Sequence, residues 1–370
     1  MIIIEFLIVL IGLAMTAILF YRFPALPDIK GVAADFPAVS VIIPARNEEK
    51  NLPLLLGDLS VQTWPPFEII CVDDASEDAT AEIARAYGAK LIALHHKPGG
   101  WIGKSWACQN GANAARGELL LFLDADVRLG KDGIGKLMQA YLKSGCTVSV
   151  QPYHQTGKLY EQGSLFFNLI QIAANGTALP KPLNAGLYGP VIMIAPSDYR
   201  KIGGHESVRN SIIEDMALGS RLKKAGIPYR LFIGDNDVAF RMYGGGLRGL
   251  LQGWTKNIAT GAVKTPLPVF FMVFLWMTSL ASVPLQLIKS AASSNWPWLA
   301  VYSLAYLGWA AILYRLVKRI GHFHRWPYIL YPLPLLVFLG VFAVSLFIRI
   351  FGLPVTWKGR VIAPDEKPCR

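Results

Sequence analysis

The sequence is short of charge. Only 16% of its 370 residues are Asp, Glu, Lys or Arg, against about 25% in a soluble globular chain, so part of it belongs in lipid. Cysteine is equally sparse: Cys71, Cys108, Cys146 and Cys369 are scattered with no CxxC pair. That excludes a disulfide-built scaffold and a thiolate zinc site, and it points to reduced thiols in a cytosolic compartment. No repeat of fixed period and no low-complexity tract occurs, which excludes solenoids, collagen and disorder. There is no GxGxxG after the first strand-like run and no GxxxxGK[ST], so neither a dinucleotide fold nor a P-loop ATPase is indicated. Acidic residues are the scarcer sign, 25 against 36 Lys and Arg, for a net charge of +11. The basic residues are dispersed without a recognition motif, which argues against nucleic acid as a partner. They suit juxtamembrane segments drawn to anionic lipid.

What the chain does have is long apolar runs at its two ends. Ile2 to Phe20 is apolar except for Glu5, and about 20 residues at 1.5 Å rise cross the hydrocarbon core. A cleaved signal would begin basic and end in small residues, whereas Phe23-Pro24-Ala25-Leu26-Pro27 follows here, so the segment reads as an uncleaved anchor over residues 1–21. Three further runs, Leu267 to Ile288, Trp296 to Tyr314 and Trp326 to Ile348, are free of charge. Arg315, Lys318, Arg319 and Arg325 crowd the connection after the second, which places it in the cytoplasm of a multi-pass cell-membrane protein, together with the domain at residues 22–245. Pro327, Pro332 and Pro334 would break a regular helix at the start of the third run. That run therefore reads either as a crossing or as a re-entrant or interfacial piece. Residues 266–350 form the membrane part, and 351–370 a basic tail.

Between the ends, strand-like and helix-like segments alternate. Ala38-Val39-Ser40-Val41-Ile42-Ile43-Pro44 is a β-branched run stopped by proline, and a helix carrying Leu52, Leu55, Leu56 and Leu59 follows. Glu68 to Val72 ends in Asp73-Asp74-Ala75-Ser76, before a helix over 79–87 and a strand over 90–94. Such alternation predicts an α/β fold with a mainly parallel sheet, whose ligands bind at the carboxyl ends of the strands. A further buried strand, Glu118 to Leu123, runs into Asp124-Ala125-Asp126. Two carboxylates one residue apart at a strand end engage a hard divalent ion, Mg²⁺ or Mn²⁺, which fills its shell with phosphate oxygens.

These spacings resemble the family 2 glycosyltransferases, whose fold is called GT-A. The matching stretches are VSVIIPARNEEKN at 39–51, VDDASEDAT at 72–80, GELLLFLDAD at 117–126 and IEDMALG at 213–219. Within that family, the GWIGKSWA stretch at 100–107 and the flanking membrane runs look most like enzymes that glycosylate membrane lipids, among them those acting on carotenoid acids and those associated with hopanoids.

The resemblance implies a UDP-sugar donor, with UDP-glucose expected, a membrane lipid acceptor such as a carotenoid acid, and inversion at the anomeric carbon. It implies that Pro44, Ala45, Arg46, Glu48 and Asp73 hold the uridine, that Lys104 contacts the nucleotide or diphosphate, that Asp124 reaches the ribose or metal, and that Asp126 ligates the metal. It puts the base at Asp215 with Glu214 secondary, at the start of a helix whose dipole favours acidic groups there. His205, in Gly203-Gly204-His205, falls where relatives line the acceptor site.

One departure stands out. Polymerising members carry QxxRW after the catalytic pair; here Trp254 matches its Trp, but Gly253 stands at the Arg position and Leu250 at the Gln position. Leu247, Leu250, Leu251, Trp254 and Ile258 keep helical spacing, which predicts an amphipathic helix over 246–265 in the membrane interface, with Trp254 at the acceptor entrance. The broken motif weighs against a processive polysaccharide synthase, the competing activity. Other acceptors (hopanoid, sphingolipid-like or diacylglycerol) and an inactive membrane scaffold are the remaining alternatives.

Overall fold

The computed structural model describes residues 2–29, 36–357 and 360–362; Lys358 and Lys367 of the basic tail, with Cys369 and Arg370, lie outside them. The chain forms two compact units. One comprises residues 24–154, 186–242 and 354–370, and the other residues 1–23, 155–185 and 243–353.

The first unit is built on strands β1 (Val39–Ala45), β2 (Glu68–Asp73), β3 (Lys90–Ala93), β4 (Leu119–Leu123), β5 (Val127–Leu129), β6 (Thr147–Gln151), β7 (Tyr153–Gln155), β8 (Val191–Ile194), β9 (Tyr229–Ile233) and β10 (Val238–Phe240). Seven of them make one sheet in the order β3-β2-β1-β4-β8-β6-β9. β8 runs antiparallel to both its neighbours, and the other pairs are parallel. In a second, smaller sheet β10 pairs with β7 and β5. Side chains alternate across a strand, and the main sheet is apolar on both faces. Val41, Ile43, Leu121 and Leu123 face one core with Leu52, Leu55 and Ile134; Ile42, Leu120 and Phe122 face the other with Cys108, Tyr199, Leu218 and Leu222. Helices α2 (Leu52–Ser60), α3 (Thr80–Ala86), α4 (Gly103–Ala114), α5 (Gly133–Ser144), α7 (Pro196–Lys201) and α8 (Glu214–Lys224) complete this unit.

Pro44 does not stop the first strand. Pairing of β1 with β4 ends at Ile42, and Pro44 continues beside β2 alone, opposite Val72, where a residue without an N–H is tolerated.

The second unit is helical: α1 (Ile2–Leu19), α6 (Leu165–Asn175), α9 (Leu247–Lys264), α10 (Leu267–Ala292), α11 (Trp296–Ile320), α12 (Trp326–Ile329) and α13 (Pro332–Ile350). Among the described residues α10, α11 and α13 are long and apolar enough to cross a membrane; α1 is apolar but shorter. The last apolar run is divided, with α12 ending at Ile329 before α13 starts at Pro332, as its proline cluster requires.

The block expected at 22–245 is interrupted. Residues 155–185 belong with the helical unit, because α6 is apolar on most of its faces: Phe166 packs near Trp276, and Phe167 stacks on Trp254 and meets Phe338 edge-on.

Candidate active site at the carboxyl edge of the sheet

Parallel pairing brings the ends of β1, β2 and β4 to one edge. Ala45 is level with Asp73, and Ile42 with Phe122. β8 starts at this edge, and the Asp124 N–H donates to the Pro190 carbonyl at 3.0 Å. The polar residues here form two groups.

The first surrounds the ends of β1 and β2. Arg46 Nη1 donates to the carbonyls of Asp74 (2.7 Å) and Ala75 (2.9 Å), bracing a loop in which Ala75 has φ +54°. The backbone N–H groups of Asn47, Glu48 and Glu49 donate to Ser76 Oγ, Thr80 Oγ1 and Asp78 Oδ2. Glu48 Oε2 accepts from Asn51 Nδ2 at 2.8 Å, and Asp73 Oδ1 from the Ser76 N–H at 3.1 Å. Asp73 and Asp74 are buried, which fits carboxylates satisfied by a loop.

The second group is a charge cluster. Lys104, in the first turn of α4, lies 2.7 Å from Asp124 Oδ1 and 3.0 Å from Glu214 Oε1. Burial opposes charge on this lysine, but the carboxylates of Asp124 and Glu214 outweigh it and hold its pKa well above the ordinary range. Asp215 Oδ2 accepts the Gly189 N–H at 2.8 Å, and Oδ1 its neighbour Met216's N–H at 2.8 Å. Burial, and then the charge of Glu214, raises the Asp215 pKa from 3.8 to about 6, against the opposing pull of Lys104 and of the two N–H groups. One ammonium thus faces three carboxylates, so the cluster is short of positive charge and Asp215 takes up a proton readily.

Backbone supports this cluster at places that lack side chains. A Cβ on Gly189 would fall 2.9 Å from Asp215 Oδ2 and 3.2 Å from Lys104 Nζ. One on Gly186 would fall 2.6 Å from the Met216 Cα, and one on Gly219 2.9 Å from the Gly186 Cα. The segment 186–189 therefore lies directly on the first turns of α8, a contribution that sequence reading missed. Its only trace in the sequence is the spacing of Gly186, Gly189 and Gly219.

Asp126 is partly exposed just beyond Asp124, and its carbonyl accepts the Arg241 N–H at 3.0 Å. No cluster of three or more His, Cys, Asp or Glu able to hold a metal occurs among the described residues. The donor chemistry still fits a hard divalent ion, because two strand-end carboxylates leave positions to be filled by diphosphate oxygens.

His205 is 2% exposed. It lies edge-on to Phe122 and joins Tyr199 through Nδ1 at 2.8 Å. Burial, with Lys104 adding and Glu214 opposing, lowers its pKa to about 4, so it is a neutral interior group and presents no ring surface to solvent.

Trp254 belongs to the helical unit and is 4% exposed, stacked on Phe167 at 4.5 Å and edge-on to Tyr243. At the Arg position of the broken motif a side chain has no room as Tyr243 stands: a Cβ on Gly253 would collide with its ring. Tyr243 takes the space that a side chain at 253 would need.

A mainly parallel sheet whose carboxyl edge gathers strand-end aspartates, a lysine and a helix-start acidic pair is the GT-A arrangement of a glycosyltransferase. Residues 40–201 match the family model described as glycosyl transferase family 2. The 4,4'-diaponeurosporenoate glycosyltransferase of Staphylococcus aureus is 35% identical over 364 residues, 95% of each chain. That of Staphylococcus haemolyticus is 39% identical over 268 residues, 69% of this chain and 71% of its own. Among solved structures, the mannosyltransferase PcManGT from Pyrobaculum calidifontis, in complex with GDP-Man and Mn²⁺, matches with TM-score 0.54 at 17% identity, over 92% of this chain and 99% of that one. The chain belongs to glycosyl transferase family 2 and is a glycosyltransferase.

Proposed function

We propose that this enzyme transfers glucose from UDP-glucose, with inversion, to the carboxyl end of a carotenoid acid held in the membrane. The acceptor class is supported by the two relatives named above. The observation that carries the reading is Asp215, a half-buried carboxylate of raised pKa, held by the Gly189 N–H beside the Lys104–Asp124–Glu214 cluster.

In this reading Pro44, Ala45, Glu48 and Asp73 receive the uridine and Arg46 braces the loop around it. Lys104 faces the diphosphate, whose negative charge its ammonium offsets. The acceptor oxygen attacks the anomeric carbon from the face opposite the diphosphate; the new C–O bond forms as the bond to phosphate oxygen breaks, and UDP leaves with the electron pair. Towards a hydroxyl acceptor, Asp215 takes the proton. A carboxylate acceptor arrives ionised, and Asp215 then orients it and offsets positive charge at the anomeric carbon. A divalent ion held by Asp124 and Asp126 would supply further neutralisation of the departing diphosphate. The helices at both ends anchor the enzyme as a multi-pass membrane protein, with the catalytic domain in the cytoplasm, where nucleotide sugars are found.

The test is a short incubation of membranes containing the enzyme with radiolabelled UDP-glucose and a carotenoid acid, followed by solvent extraction. Label is expected in the organic phase as a glucosyl ester. Label in an insoluble polymer would replace this reading with a polysaccharide synthase, and no donor turnover would leave a scaffold.

A further inference from the structure

Lys104, Asp124 and the Glu214–Asp215 pair stand on three separate elements, α4, β4 and the start of α8, and cluster only if those elements keep register within a few tenths of an ångström. One phenolic oxygen, that of Tyr199 on α7, touches the parts that set this register. It accepts the backbone N–H of His205 at 3.0 Å, meets His205 Nδ1 at 2.8 Å and lies 3.2 Å from Gln109 Oε1.

Gln109 is on α4, five residues beyond Lys104, and its Oε1 also accepts the Glu206 N–H at 2.9 Å. Just before α4, the Ile102 N–H donates to the carbonyl of Arg209, which follows the 3-10 turn His205–Val208, at 2.8 Å. The segment 205–209 is therefore fastened to α4 on both sides of Lys104. The same turn leads into α8, and Arg221 Nη2 of α8 reaches back to the Ser207 carbonyl at 3.0 Å. β4 joins through Phe122, two residues before Asp124, whose ring packs on both Tyr199 and His205.

The set is chemically complete. With hydrogen on His205 Nδ1, the Tyr199 oxygen accepts from both His205 N–H groups and donates its own hydrogen to Gln109. Gly204, at φ +53°, makes the close approach feasible, since a Cβ there would fall 2.7 Å from both Gln109 Oε1 and the Tyr199 ring.

We infer that Tyr199, with Gln109 and His205, is a positioning clamp that sets the distance between Lys104 and the Glu214–Asp215 pair and so tunes the chemical step. This rests on the role proposed for that pair. None of the three clamp residues touches the reacting atoms; they act through Lys104 and Glu214.

Tyr199→Phe keeps the ring packing and removes the hydroxyl. Turnover is measured with the full-length enzyme in detergent, with radiolabelled UDP-glucose as donor. Because a small misplacement of a reacting group is costly, kcat is expected to fall about tenfold while the donor KM changes less than about twofold. The same substitution in a Glu214→Gln background is expected to cost under about threefold, because the ion pair through which the clamp acts is already gone. Gln109→Leu removes the other arm at a partly exposed site and provides the measurement should Tyr199→Phe fail to fold. An unchanged kcat in the variant that folds, or an equal loss with and without Glu214→Gln, would overturn the clamp. Asp215→Asn with undiminished transfer would instead overturn the base assignment, a result the coupling measurement does not reproduce.

Discussion

Asp215→Asn should disable the enzyme and, relative to the wild type, gain stability as pH rises. The side chain keeps its shape, and its one oxygen still accepts the Gly189 N–H, but its amide nitrogen then faces the Met216 N–H, a cost of about 1–3 kcal/mol that does not vary with pH, while the charge that burial and Glu214 disfavour is gone. A carboxyl raised from 3.8 to about 6 on folding costs the native state on the order of 3 kcal/mol once ionised, at 1.36 kcal/mol per pH unit. The sign follows from linkage: the native state binds the proton more tightly, so the penalty is absent below about pH 3.8 and complete above about pH 6. The melting temperature of the variant relative to the wild type is therefore expected to rise between pH 5 and pH 7.5. Transfer to a hydroxyl acceptor should fall at least about 100-fold, and less to a carboxylate. Thermal unfolding of both proteins in the same detergent across pH 5–8 reads the first effect. A difference in melting temperature that does not vary with pH would refute the account of a strained ionised carboxylate.

Activity should vanish on EDTA treatment and return with Mn²⁺ or Mg²⁺. Asp126→Ala should abolish it, which radiolabel transfer would show. Gly189→Ala pushes a methyl against Asp215 Oδ2 and Lys104 Nζ; it should cut kcat, read by radiolabel transfer, by about 100-fold. Gly253→Arg restores the lettering of the polymerising motif at that position but collides with Tyr243. It should lower unfolding stability by about 2 kcal/mol or more without producing polymer.

The sheet edge was legible because apolar strands there end abruptly in acidic residues. Val39 to Ile43, Glu68 to Val72 and Leu119 to Leu123 mark three strands, and Asp73 and Asp124 mark one rim. The approach of Glu214 to Lys104 was not legible, since it depends on a fold contact between residues 110 positions apart. Arg46 resembles a ligand contact in sequence, and its Nη1 braces the loop after β2 through the carbonyls of Asp74 and Ala75. His205 and Trp254 were expected at an acceptor surface; the structure places both in interiors, because Phe122 and Tyr199 cover one and Phe167 the other. α6 escaped notice because its 11 residues are too few to suggest a membrane segment.

The interruption at residues 155–185 has a consequence for biosynthesis. β8, which sits between β4 and β6 in the main sheet, is translated only after α6, so the catalytic sheet stays open while an apolar helix has already emerged. The aromatic partners of α6, Trp254, Trp276 and Phe338, come later still. At 5–20 residues per second the ribosome needs about 4 to 14 s to go from the end of α6 to the start of α9. For that interval Phe166 and Phe167 have none of these partners, and lipid or a chaperone must shield them. The nascent chain therefore exposes an apolar helix before its catalytic half can close.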